Sequence, residues 1–224
     1  KVIFNERKTI LQRFSRGNFI KNNFKSSIDP SQNFIYFPLH FEPERVILSV
    51  TPFYTNQLEI IKNIAKSIPI GYKLYVKEHP FQITSSWRSK SFYKEILKLP
   101  NVELLNPNIS NENLLKECSM VVALTGTIGL SAAFYKKPSI IFGDVIYSSL
   151  PSVKKINDIN ELPNLIRKSL ETKVELSDLN SYANYVFSNS FDFDLFKLNM
   201  PLLKKYFYDG YLFDVYIKKN DVKQ

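Results

Sequence analysis

The chain has 224 residues, 44% of them hydrophobic, and its 30 Lys and Arg against 21 Asp and Glu give a formal net charge of +9. That is enough apolar material for a sizeable core, in one domain with appendages or in two small ones, and no apolar run approaches the ~20 residues that cross a bilayer. Its one cysteine, Cys118, excludes an internal disulfide; without a signal peptide, the cytoplasm is the expected location.

The charge favours anionic partners such as sugar nucleotides or lipid head groups. Lysines fall in dispersed pairs, Lys136-Lys137, Lys154-Lys155, Lys204-Lys205 and Lys218-Lys219, and form no arginine-rich stripe. No nucleic-acid footprint is therefore expected. Residues 1–33 carry basic and scattered apolar residues with no clear strand, and are expected to be a linker or the tail of an upstream element. Ser26-Ser-Ile-Asp-Pro-Ser-Gln32 leads into the next domain.

From there the pattern alternates. Phe34–Pro38 is the first strand; Thr55 or Asn56 caps a helix with Leu58, Ile61, Ala65 and Ile68 on one face, stopped by Pro69 and Gly71. Tyr72–Lys77 is the second strand, Ser91–Leu99 a short helix ended by Pro100, and Val102–Leu105 the third strand. A helix over 111–118 ends in Cys118, expected as a buried structural thiol. Met120–Leu124 is an unbroken apolar run of the kind that forms a central parallel strand, Gly126–Phe134 a small-residue helix, and Ser139–Phe142 the fifth strand, closed by Gly143. Right-handed crossovers make this an α/β, doubly wound, Rossmann-like parallel sheet in the order 3-2-1-4-5.

After residue 150 the alternation stops, and 151–224 is expected to be a helical extension to a domain over 34–150. Asp158 or Asn160 starts a helix with Leu162, Leu165, Ile166 and Leu170 inward, followed by helices over 176–188 and 192–207. Tyr211–Ile217 fits a strand or a packed aromatic tail.

The sequence holds two histidines, and each stands at the mouth of a predicted strand and adjoins a proline-containing turn. Open α/β sheets bind ligands at that edge, in the crevice where the strand order reverses. Lys77-Glu78-His79-Pro80 ends the second strand with a cation, a carboxylate and an imidazole, and a His there can donate to a departing phosphate. The plain alternative is a polar strand end with Lys77 and Glu78 at the surface. On the first strand His40, Glu42 and Glu44 flank Pro43, a set suited to ribose hydroxyls or to acid–base work, or else an ordinary loop. The spacing matches no familiar metal-ligand pattern. Thr125-Gly126-Thr127 and Gly129 form a strand–turn–helix junction whose backbone N–H groups and hydroxyls fit a phosphate, or whose glycines only pack a helix. It is neither a Walker loop nor a full dinucleotide fingerprint.

Taken together, Tyr36–Glu44, Leu74–Pro80, Thr125–Gly129, Lys137–Gly143 and Tyr147 resemble the bacterial capsule polysaccharide biosynthesis family, over about residues 34–150. Members of that family include Kdo transferases. The resemblance implies one half, the C-terminal donor-binding half, of a GT-B glycosyltransferase, whose other, N-terminal domain supplies most acceptor contacts. It implies a nucleotide-sugar donor, CMP-linked, and no cofactor or metal. His79 and Pro80 would hold the phosphate and assist the leaving group, with Lys77 and Glu78 beside them. Thr125, Gly126, Thr127 and Gly129 would complete the cradle, and His40, Glu42, Glu44, Gly143 and Tyr147 would line the pocket. The family's loop often carries Gln where this chain has Glu42. The acceptor implied is a capsule or other surface glycan, or a lipid-linked one. The basic residues after 150 fit either a peripheral contact with the anionic inner face of the plasma membrane or a solvated surface. Two other classes stay open: an epimerase or polyol-phosphate transferase on the same architecture, and a noncatalytic nucleotide-binding module.

Overall fold

The computed structural model of the protein describes residues 15–42, 45–85 and 88–190. Residues 1–179 form one compact unit and 180–224 a second, of which residues 180–190 are described, as the end of a helix. Pro43, Glu44, the helix expected over 192–207 and the Tyr211–Ile217 stretch lie outside the described residues.

The strands are β1 (Phe34–Pro38), β2 (Lys73–Lys77), β3 (Val102–Leu105), β4 (Met120–Ala123), β5 (Ser139–Ile141) and β6 (Val153–Lys155). All pair in parallel, in the order β3-β2-β1-β4-β5-β6. The expected order holds for five strands, and the sheet runs one strand further. Val153-Lys-Lys155 has a single buried apolar residue, too little to announce a strand, and such short, charged strands are what sheets carry at an edge.

Among the described residues helix α1 covers 15–23, followed by α2 (Arg45–Val50), α3 (Gln57–Ser67), α4 (Pro80–Ser85), α5 (Lys90–Leu97), α6 (Asn111–Glu117), α7 (Ile128–Phe134), α8 (Leu162–Leu170) and α9 (Leu176–Ser188). Asn56 caps α3 by accepting from the Glu59 N–H, and Ile60, Ile61, Ile64 and Ala65 are its buried face, with Leu58 at the flank. Each such isoleucine contributes about 1.5–3 kcal/mol on leaving water. The chain turns back into β2 at Gly71, whose φ of +91° lies where a side chain is rarely tolerated.

Two cores sandwich the sheet. One joins Ile35, Phe37, Leu74 and Val76 to α3, Tyr93 and Ile96 of α5, and Leu162 and Ile166 of α8. The other joins Phe34, Tyr36, Tyr75 and Val121 to Leu114 and Leu115 of α6 and Ala132 of α7. Cys118 is buried in the second, where desolvation pushes its thiol up to about 12, so it stays protonated. The segment expected as linker contributes Phe24 to the first core, and Lys25 bridges to Leu105 on the β3 edge. Helix α8, expected in an extension, packs on α3. The core therefore reaches past both ends of 34–150.

The loops after β1, β4 and β5 crowd together at the carboxyl edge. A Cβ on Gly143 would stand 2.6 Å from Thr125 Cγ2, 2.7 Å from Thr51 Cγ2 and 2.7 Å from Val50 Cγ1. Gly143→Ala is expected to lower the free energy of unfolding by about 1–3 kcal/mol through overpacking. Urea denaturation reads this, and an unchanged midpoint would mean that the β5 loop yields without strain.

Candidate nucleotide-binding edge

Past Pro38 the backbone of β1 leaves its ladder. The Leu39 N–H still donates to Lys77 O (2.8 Å). Beyond it, two glutamines replace the missing strand. Gln57 Oε1 accepts from the His40 N–H (2.8 Å) while its Nε2 donates to His40 O (3.1 Å). Gln82 does the same for Glu42, accepting from its N–H at 2.7 Å and donating to its carbonyl at 3.1 Å. A carbamoyl group offers one acceptor and one donor side by side, as a neighbouring peptide does, and both glutamines are buried. The backbone of residues 40 and 42 is thus held by side chains.

Arg88 closes this arrangement. Its Nε–H donates to Glu78 Oε2 (2.9 Å), Nη1 pairs with Glu42 Oε2, and Nη2 donates to the His40 carbonyl. Glu78 is completely buried; it also accepts from the Tyr93 hydroxyl (2.7 Å) and, through Oε1, from the His79 N–H (2.7 Å). Burial, then the Glu78 charge, holds the Tyr93 hydroxyl well above its ordinary range, so it remains a donor. Glu42 accepts further from Gln57 Nε2 and keeps 38% of its side chain exposed. The guanidinium carbon lies over the Phe92 ring, 5.1 Å from its centroid.

On the other side of β1 the imidazole of His40 rests on Gly126. A Cβ there would lie 3.2 Å from His40 Cε1 and 3.5 Å from Nε2. Behind the turn, the buried Tyr147 donates its hydroxyl to Gly126 O and fills the space a side chain at Gly129 would need, 2.8 Å from Tyr147 Oη. The exposed Thr127 starts α7 without using its side chain as a cap.

His79 and Pro80 are exposed at the tip of β2. Pro80 opens α4, a position that needs no N–H. His79 Nδ1 accepts from the Phe81 N–H (3.2 Å), which leaves the proton of a neutral ring on Nε2, and the ring tilts against Phe41 with centroids 6.3 Å apart. Strand alternation sends Lys77 to the opposite face from Glu78. There its ammonium donates to Ile109 O (2.5 Å) and Asn111 Oδ1 (2.6 Å), and burial lowers its pKa. Among the described residues no group of three or more His, Cys, Asp or Glu is placed to hold a metal ion. A cavity of about 440 Å³ opens between residues 26–30 and α6; its lining includes Ile109, whose carbonyl accepts from Lys77, and none of His40, Glu42, His79 or residues 125–129.

Residues 7–155 match the family model described as capsule polysaccharide biosynthesis protein. The chain belongs to that family. No protein of curated function matches the sequence. Among solved structures it resembles the β-Kdo 2,4 transferase of KpsC from Thermosulfurimonas dismutans, at 14% identity and TM-score 0.50, over 77% of this chain and 54% of that one. It resembles the UDP-GlcNAc 2-epimerase of Methanocaldococcus jannaschii at 14% identity and TM-score 0.50, over 71% of this chain and 43% of that one. The β-Kdo 2,7 transferase of the same KpsC matches at 20% identity and TM-score 0.49, over 82% and 53%. The chain spans about half the length of these structures. The first two show a Rossmann-like, GT-B-type architecture.

Within this capsule family member, His40, Gly126, Gly129 and Tyr147 meet, Thr125 meets Gly143, and Glu42 meets Glu78 through Arg88. Among the described residues no hydrogen bond joins His79 to residues 125–127; the imidazole against that turn is His40's. Lys77 and Glu78, open to a surface reading in the sequence, are both buried. Lys77 ties β2 to the β3–α6 loop, and Tyr147 supports the turn from behind. Arg88, Gln57, Gln82 and Tyr93 carry no motif, and their partners lie 10 to 48 positions away.

Two outcomes follow for this edge. Glu78→Ala leaves the Arg88 charge without its buried partner and is expected to cost about 3–5 kcal/mol; thermal unfolding with a loss below 1 kcal/mol, an order-of-magnitude bound, would count against the network. For Lys77, burial holds the folded pKa below an ordinary lysine's 10.5, so its charged form is penalised at neutral pH and the penalty fades as pH climbs to 10.5. Wild type should gain stability relative to Lys77→Met across that rise, and a flat difference would contradict the burial effect.

Proposed function

We propose that this chain is the nucleotide-sugar-binding part of a GT-B glycosyltransferase of capsule or related surface-glycan synthesis. The observation that carries the proposal is the meeting of His40 with the Thr125–Gly126–Thr127 turn between β1 and β4, the point where the strand order reverses. Family membership supports it.

The donor proposed is a sugar linked to CMP or a related nucleotide, with Kdo or another acidic sugar as its glycosyl group. The turn amides and the hydroxyls of Thr125 and Thr127 face the phosphate, with His40 beside them. In the transfer the bond from the anomeric carbon to the phosphate oxygen breaks and its electron pair leaves on the phosphate. An acceptor hydroxyl oxygen bonds to that carbon, and the hydroxyl proton passes to a base. His79 Nε2–H is the donor proposed for the departing phosphate. Glu42, half exposed although pinned, keeps lone pairs for sugar or ribose hydroxyls. The acceptor, a glycan or lipid-linked glycan, and the base are assigned to a second GT-B domain, with catalysis on the cytoplasmic side of the plasma membrane.

Calorimetric titration of CMP, UDP and CDP tests this. One of them should bind the wild type, and His40→Ala, His79→Ala and Thr127→Val should each weaken it roughly tenfold or more, as for a hydrogen bond to a charged group. The reading fails if none binds, or if binding is indifferent to all three substitutions.

A further inference from the structure

We propose that Arg88 is a positioning residue for this edge: its guanidinium clamps the His40–Glu42 segment to β2 and thereby keeps the His40 imidazole on the Gly126 turn. The side chain is 4% exposed, so it acts through other groups. Its anchor is Glu78, wholly buried at the end of β2, at 2.9 Å from Nε. The two remaining faces of the fork reach the other loop, Nη2 to the His40 carbonyl and Nη1 to Glu42. One planar group thus bonds two strand tips at once, which a lysine, a point charge on a flexible stem, cannot reproduce. Gln57 and Gln82 hold the backbone of the segment with neutral hydrogen bonds. Arg88 adds a charge-assisted tie, and with it the two carboxylates of the edge, Glu42 and Glu78, share one counter-charge.

The clamp is tested on the imidazoles themselves, since there are two histidines. Long-range ¹H–¹⁵N spectra, assigned with His40→Ala and His79→Ala, are recorded for wild type, Arg88→Lys and Arg88→Met, with circular dichroism as the check of folding. Both Arg88 variants are expected to fold, to shift the ring nitrogens of His40 and to move those of His79 far less. Only the affinity arm rests on the functional reading above: the nucleotide that binds wild type should bind each variant roughly tenfold more weakly, the size of effect seen for residues that act without touching the ligand. Unchanged His40 signals in a folded variant, equal shifts of both histidines, or unfolding of both variants would overturn the proposal. If wild type binds none of CMP, UDP and CDP, the functional reading falls while the imidazole arm still decides the clamp.

Discussion

The buried charge of Arg88 is the constraint on which the carboxyl edge depends. A parallel sheet leaves the peptide groups past each strand end without ladder partners, and buried peptide groups without partners are costly. Here the ends of β1 and β2 are satisfied by side chains from two different crossover loops. Gln57, at the start of α3, and Gln82, within α4, pair with residues 40 and 42. Arg88, from the segment before α5, joins the same residues to Glu78. One guanidinium stands between two carboxylates, hydrogen-bonded to the buried Glu78 through Nε and ion-paired with Glu42 through Nη1, with Tyr93 donating to the deeper carboxylate.

The other wall of the edge is built by close approach. Gly126 admits the His40 ring, Gly129 admits Tyr147, and Gly143 admits Thr125, Thr51 and Val50. A methyl group at any of them meets another residue's side chain, so these glycines set distance, not backbone conformation. The Tyr147 hydroxyl on the Gly126 carbonyl fixes the turn from below. The outcome is a supported edge on which Thr127 and His79 are exposed and His40, Glu42 and Thr125 are half-buried. Functional groups held by an inner layer of hydrogen bonds in this way keep their geometry without being rebuilt when a ligand arrives.

Legibility followed the strength of local periodicity. The five expected strands were readable because β1, β2 and β4 are continuous apolar runs, and α3 was readable from its apolar period and the Asn56 cap. Helices α2 and α4 were not, since each has six residues, and the loop that holds α2 also carries Pro52. Strand β6 was missed because an edge strand is mostly polar. Phe24 and α8 joined the core through contacts between distant segments, which composition at the ends of the chain does not announce.

The sequence by itself determined the parallel α/β alternation and the placement of both histidines just past the carboxyl ends of strands, because strand period, helix caps and chain order are local properties. The tertiary structure decided which of these residues meet. It put His40 on the Gly126 turn and kept His79 at the open end of β2. It sent Lys77 and Glu78 to opposite faces and brought Arg88 to a carbonyl 48 positions away. Such pairings follow from sheet order, side-chain reach and the demand that buried charges find partners, none of which is written in neighbouring residues.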